Sequence, residues 1–210
     1  MVVITPPYHH PKEISLANAM LERGLPLLHI RKPDFTFEQL QQWVENISYQ
    51  HHDKLVIHIP SPVINNYPKV FKQYIQLINS LKAQYAHLST DNCSFVNNYS
   101  QKLPCLSTSV HNSTECEKLS TRHQRVFLSP VFDSISKIAY HPTLHWPSFL
   151  ADWKYPWIQT VALGGITPAH LATVRNMGFD DFAVLGAIWQ AAEPLKIFDL
   201  CYKQDQLLFR

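Results

Sequence analysis

Ile158-Gln159-Thr160-Val161-Ala162-Leu163 leads straight into Gly164-Gly165-Ile166-Thr167-Pro168, and Phe182-Ala183-Val184-Leu185 leads into Gly186-Ala187-Ile188. Each is a short apolar run that stops at a glycine turn, as a strand covered on both faces does when it hands over to a helix. Further back along the chain the same kind of run recurs at Val2–Ile4, Leu27–Ile30, Leu55–His58, Tyr85–Leu88, Cys105–Val110 and Val126–Leu128. Between the runs lie stretches with apolar residues three and four apart: Ile14 to Leu21, which stops at Gly24, then Phe37 to Ile47, then Lys69 to Lys82. That spacing predicts helices, with Gly24 as C-terminal punctuation. Strand candidates alternating strictly with helices imply a parallel sheet with right-handed crossovers, and eight such units close it. The expected fold is α/β, a (βα)8 TIM barrel forming a single domain over residues 1–210, with a doubly wound open sheet as the alternative. At 210 residues the helices must be short, and the stretch after Asp91 carries the weakest pattern.

At 46% hydrophobic the chain can enclose a sizeable core, which excludes a disordered tail. Only 16% of residues are charged and the formal net charge is +2, so no nucleic-acid partner is expected. Met1 passes directly into Val2-Val3-Ile4 and Thr5-Pro6-Pro7, a segment too short for a signal peptide or a membrane span. Cys93, Cys105, Cys116 and Cys201 show no CxxC spacing, and free thiols in a cytoplasmic protein are expected.

In a parallel barrel the reactive face lies at the carboxyl ends of the strands. His29, His58, His87 and His111 stand at four consecutive such ends. Any one of them alone reads most simply as a polar residue meeting water or a carbonyl. A four-histidine metal site is a sharper alternative that no HxH or HExxH spacing supports, so no metal ligand is assigned. His29 and Arg31 are two apart and share a face of an extended strand, where the guanidinium offers a fixed fork for a phosphate or carboxylate. Ser129 to Lys137 packs hydroxyls and an ammonium into a segment without periodicity, which suits a loop over an anionic group. Only five glycines occur, and those after the seventh and eighth runs mark where such barrels hold a phosphate on main-chain N–H groups. Gly164, Gly165, Leu185, Gly186 and Ala187 are the expected phosphate-binding residues.

At these residues the chain resembles the thiamine phosphate synthase and TenI family. The likeness is carried by His29-Ile30-Arg31, Ala86-His87-Leu88, Ser109-Val110-His111 with Glu115 and Glu117, and Leu128-Ser129-Pro130-Val131-Phe132 with Ser134, Ser136 and Lys137. Ala162-Leu163-Gly164-Gly165-Ile166 and Ala183-Val184-Leu185-Gly186-Ala187-Ile188 complete it. The resemblance implies a homodimeric barrel of thiamine biosynthesis that binds a phosphorylated thiazole. It implies that Arg31, Ser134, Ser136 and Lys137 act on the diphosphate of a pyrimidine substrate. His29, His58, His87, Ser109 and His111 become the expected substrate contacts.

The leading expectation is synthase chemistry, in which the hydroxymethylpyrimidine group passes from its diphosphate to thiazole phosphate with Mg2+ bridging the departing oxygens. Departures fall on the metal side. Synthases of the family carry Gln at the place of His29 and Lys at the place of Pro33. Their Asn-Asp-Arg turn is here His58-Ile59-Pro60, and their second metal Asp falls on Asn92 beside Asp91. The alternative is a TenI-type tautomerase, which isomerises a thiazole carboxylate phosphate without a metal, although the histidine such enzymes carry in the sixth-strand motif is Pro130 here. A non-catalytic thiazole or thiamine phosphate-binding regulatory protein is the third reading.

Overall fold

The structure is a computed structural model that describes residues 1–92, 102–133, 135 and 141–210. The strands are β1 (Val2–Ile4), β2 (Leu27–Ile30), β3 (Leu55–His58), β4 (Tyr85–His87), β5 (Cys105–Val110), β6 (His123–Leu128), β7 (Gln159–Ala162) and β8 (Asp181–Val184). All pair in parallel with their chain neighbours, and β8 returns to β1 through Val2↔Ala183 and Val3↔Val184, so the sheet is a closed barrel and not the open alternative. Helices Glu13–Glu22, Phe37–Glu45 and Pro68–Ser80 stand where the spacing predicts them. Thr36 caps the second through a reciprocal pair with Gln39, and Gly24, at φ +101°, ends the first in the left-handed region that glycine tolerates. Later helices are short, such as Trp146–Ala151 and Leu171–Asn176. Most of the weak stretch after Asp91 lies outside the described residues.

Strand periodicity divides the side chains into two cores. Val3, Leu28, Leu55, Ile57, Ala86, Val126, Ala162 and Val184 face the helices. Val2, Ile4, Leu27, Val56, Phe127, Val161 and Ala183 form a separate cluster inside the barrel. Trp146 joins the outer core and donates its indole N–H to the Pro130 carbonyl at 2.9 Å, whereas Trp157 is half exposed. Cys105, Cys116 and Cys201 are free, and Cys93 lies outside the described residues. No helix among the described residues is long and apolar enough to cross a membrane.

At the amino end of the strands the interior is ionic. The Met1 ammonium lies 2.5 Å from Asp181 and 2.9 Å from Asp205, while Arg125 pairs with Asp181 and Arg210 with Asp205. Burial pushes the Asp181 pKa up, but the Met1 ammonium and Arg125 outweigh it and hold the carboxyl below its ordinary value. A depressed folded pKa means that stability is fully present above the unfolded value of about 4 and is lost as pH falls through the folded one. Asp181→Asn leaves two cations facing a neutral amide and is expected to cost roughly 3 kcal/mol in urea unfolding at pH 7. The variant should also lose part of the wild-type decline in stability below about pH 4. An unchanged acid limb would remove this role from Asp181.

Candidate active site

The loops after β6 and β7 are locked together by main-chain hydrogen bonds. Val131 N–H donates to the Leu163 carbonyl at 2.9 Å and Phe132 N–H to the Gly164 carbonyl at 3.1 Å. His170 Nδ1 donates to the Gly165 carbonyl at 2.9 Å, and its ring stacks on Phe132 with centroids 4.2 Å apart. In a planar trans peptide the N–H points opposite to the C=O. Occupied carbonyls on the loop side therefore turn the amides of Gly164, Gly165 and Ile166 toward the cavity these residues line. Among the described residues none of the three donates to a main-chain acceptor. The helix Gly186–Trp189 adds the amides of Gly186 and Ala187, which as first-turn donors have no partner within the helix.

The double glycine is required twice over. Gly164 and Gly165 have φ of +97° and +67°, and an added Cβ would lie 2.8 Å from Pro130 Cα and 2.3 Å from the Asp133 carbonyl oxygen. Ligand approach is one reason for glycine here, and the close approach of the β6 loop from behind is the other.

The cavity at this mouth measures about 230 Å³ and is lined by Arg31, His58, His87, Ser109, His111, Gly164, Gly165, Leu185 and Gly186, with Phe127 and Ser129. Nine of the expected site residues thus meet around one hollow. Two of the expected residues do not line it. His29 is wholly buried in β2 and does not line the cavity, because the same alternation that turns it inward sets it one layer below Arg31. Ala187, next to Gly186 in the first helical turn, does not line it either. Ser134, Ser136 and Lys137 lie outside the described residues.

Among the described residues no Asp or Glu lines this cavity, and Arg31 is the cation that does. The Arg31 main-chain N–H donates to Thr5 Oγ1 at 2.9 Å, which fixes the strand end from which the side chain extends. Its neighbour Lys32 turns into the wall, pairing with buried Glu13 at 2.7 Å and donating to the Pro6 carbonyl at 2.7 Å. A second hollow of about 580 Å³ adjoins the first and shares Arg31, His58, His87, Ser109 and His111 with it.

The imidazoles differ in environment. His58 stacks on His87 with centroids 3.9 Å apart, and its Nε2 lies 3.0 Å from His29 Nδ1. Burial, reinforced by His87 and Arg125, holds His29 well below the ordinary imidazole pKa. Burial with His87, His29 and Arg31 does the same for His58, and burial with Arg31 and His123 brings His87 down to about 3. All three are neutral at physiological pH. His111 is placed differently: Nδ1 lies 3.1 Å from both the carbonyl and the hydroxyl oxygen of Ser129, so with Nδ1–H donating to that carbonyl, Nε2 carries the lone pair. Ser129 and His170 were harder to find from sequence. Ser129 is legible as the start of the hydroxyl-rich loop but not as the partner of His111, and His170 only as a histidine five places beyond a glycine turn.

The sequence profile described as thiamine monophosphate synthase (TMP-TENI) matches residues 1–188. The chain belongs to this family. Among solved structures, thiamine phosphate pyrophosphorylase from Bacteroides thetaiotaomicron superposes with a TM-score of 0.71 at 21% identity, covering 99% of this chain and 98% of that one. The pyrophosphorylase from Pyrococcus furiosus gives a TM-score of 0.76 at 16% identity, covering 100% and 96%. 3-Hexulose-6-phosphate synthase from Salmonella typhimurium gives 0.67 at 12% identity, covering 96% of each chain. Comparison with curated proteins gives no match. These likenesses establish the shared barrel; the chemistry of this TMP-TENI member rests on its own residues.

A hard dication such as Mg2+ needs several oxygen ligands in near-octahedral array. Along the outer hollow Asp91 is paired with Lys118 at 2.6 Å, and Glu115 accepts from the His111 main-chain N–H at 2.9 Å and from Asn112 at 3.0 Å. Buried Asn92 donates to Ser89 Oγ at 2.8 Å, and Ile59 offers no oxygen. Among the described residues the set does not fit Mg2+.

Gly165→Ala forces a side chain into the left-handed region and against main chain, and is expected to cost roughly 2 kcal/mol or more. Because the same change disturbs the amide row, calorimetry should also show weaker binding of inorganic phosphate. Wild-type affinity in a folded Gly165→Ala protein would count against an anion site on these amides.

Proposed function

We propose that the protein is a thiamine-biosynthesis enzyme that holds a phosphorylated thiazole in the inner cavity and moves a proton on its ring without Mg2+. The observation that carries this reading is the pairing, in one carboxylate-free hollow, of a row of unused amides with a wall of imidazoles and one guanidinium. The amides of Gly165, Ile166 and Gly186 take the phosphate oxygens, since main-chain donors held in place suit an anion without reorganising. Arg31, at the other side of the hollow, holds a second anionic group such as a ring carboxylate. His111 Nε2 accepts the proton from one ring position and returns it at another, with Ser129 fixing the tautomer. Neutral His58 and His87 wall the hollow, and cannot themselves be effective bases when their pKa is so low. His111 thereby takes the place of the histidine that tautomerases of the family carry at the position of Pro130.

Incubation with the thiazole carboxylate phosphate tautomer in Mg2+-free buffer, followed by proton NMR, should show conversion to the aromatic form. His111→Gln should lower kcat about 100-fold or more while leaving the affinity for thiazole phosphate close to wild type. Equal turnover in the variant would remove His111 as proton carrier, and binding without conversion in the wild type would favour the regulatory reading.

A second reading, synthase transfer, is favoured by the outer hollow, which has room for a pyrimidine diphosphate beside the thiazole and shares Arg31 with it. Thiamine phosphate formed from both substrates with added Mg2+, and lost in Lys137→Ala, would establish that reaction instead.

A further inference from the structure

Beneath the cavity His29, His58 and His87 come from β2, β3 and β4, and each offers a ring nitrogen within 4.8 Å of the others. They meet because three adjacent strands present an inward-facing histidine at staggered heights, with His58 paired in register to His87 and His29 to Val56. Their mutual contacts leave one polar atom without a role. His29 is fully buried, its Nδ1 is engaged with His58 Nε2, and its Nε2 has no hydrogen-bond partner. A buried imidazole nitrogen left so costs on the order of 1–3 kcal/mol unless something takes up its hydrogen-bonding capacity.

We propose that His29, His58 and His87 form a three-imidazole site for a divalent d-block cation of the Zn2+ class at the floor of the cavity. Neutral imidazole suits such cations, and among the described residues no carboxylate or thiolate is grouped with the three. Tetrahedral Zn2+–N bonds of about 2.0–2.1 Å require nitrogens about 3.4 Å apart. His29 Nδ1 and His58 Nε2 are already 3.0 Å apart, and all three ligand nitrogens lie within 4.8 Å of one another, so side-chain adjustments on the order of 1 Å reach that spacing. His87 is already oriented from behind, with Nδ1 3.0 Å from Ser107 Oγ and Nε2 3.3 Å from Ser109 Oγ, so a hydroxyl fixes the nitrogen that does not bind. Since His58 and His87 line the hollow, the open coordination position faces it. Three neutral ligands leave the cation's charge uncompensated, and Arg31 adds to it, so the open position takes hydroxide or an anionic group of the ligand.

The site is tested with the metal alone, which keeps it separate from the proton-transfer reading. Full-length protein stripped with a chelator is titrated with ZnCl2 and with CoCl2, followed by calorimetry and visible absorption. One equivalent should bind far more tightly than the rest, and the Co2+ form should show the intense d–d bands of a low-coordinate site. His58→Ala and His87→Gln should each weaken that equivalent about 100-fold or more. A His141→Gln, His145→Gln double variant, which removes two exposed imidazoles, should leave it unchanged. No tight equivalent, or one that survives in the trio variants, means an adventitious ion only and overturns the proposal. Should the trio variants fail to fold, X-ray absorption on the wild-type Zn2+ form decides: three nitrogen neighbours at about 2.0–2.1 Å support the site, and an oxygen-dominated shell overturns it.

Discussion

The pairing of β8 with β1 is the constraint on which the rest depends. Once Val2 and Val3 are hydrogen-bonded beside Ala183 and Val184, the sheet has no edge, and every second side chain must find a place inside a closed tube. The tube is filled in layers: ions at the amino end, an apolar belt around Phe127 and Val161, then histidines, and Arg31 at the mouth. Most polar groups of the interior find partners within their own layer, Asp181 in two cations and His87 in two serines, although His29 Nε2 is left without one.

Polarity therefore rises toward the carboxyl ends of the strands without a carboxylate reaching the inner hollow. Among the described residues Arg31 is the cation that lines the hollow, while Lys32 beside it pairs with Glu13 in the wall. Neighbouring cations of the same strand end thus do opposite work, one holding the chain in place and one facing the cavity, and the alternation of the strand decides which is which.

Much of this was legible in the chain itself. Eight apolar runs, the last two closed by glycine turns, locate all eight strands, because a parallel barrel needs nothing more at the level of pattern than covered strands at regular intervals. The histidine depth was not legible: His29 and His58 look alike beside their runs, and only the stagger of neighbouring strands puts one under the floor and the other in the wall. The partner of the double glycine was likewise hidden, since Asp133 is more than thirty residues away and meets Gly165 only after two loops fold over each other. Spacing arguments see along a strand and a helix; they do not see across from one loop to the next.

The interlocking of the β6 and β7 loops through Leu163, Gly164, Phe132 and His170 carries a consequence for how this barrel can change. Loops on such scaffolds ordinarily vary one at a time, each on its own strand. Here the two share their hydrogen bonds and one stacked ring pair, so they form a single inheritable cassette: grafting one onto another barrel without its companion would strand half of its contacts, and their substitutions should combine non-additively.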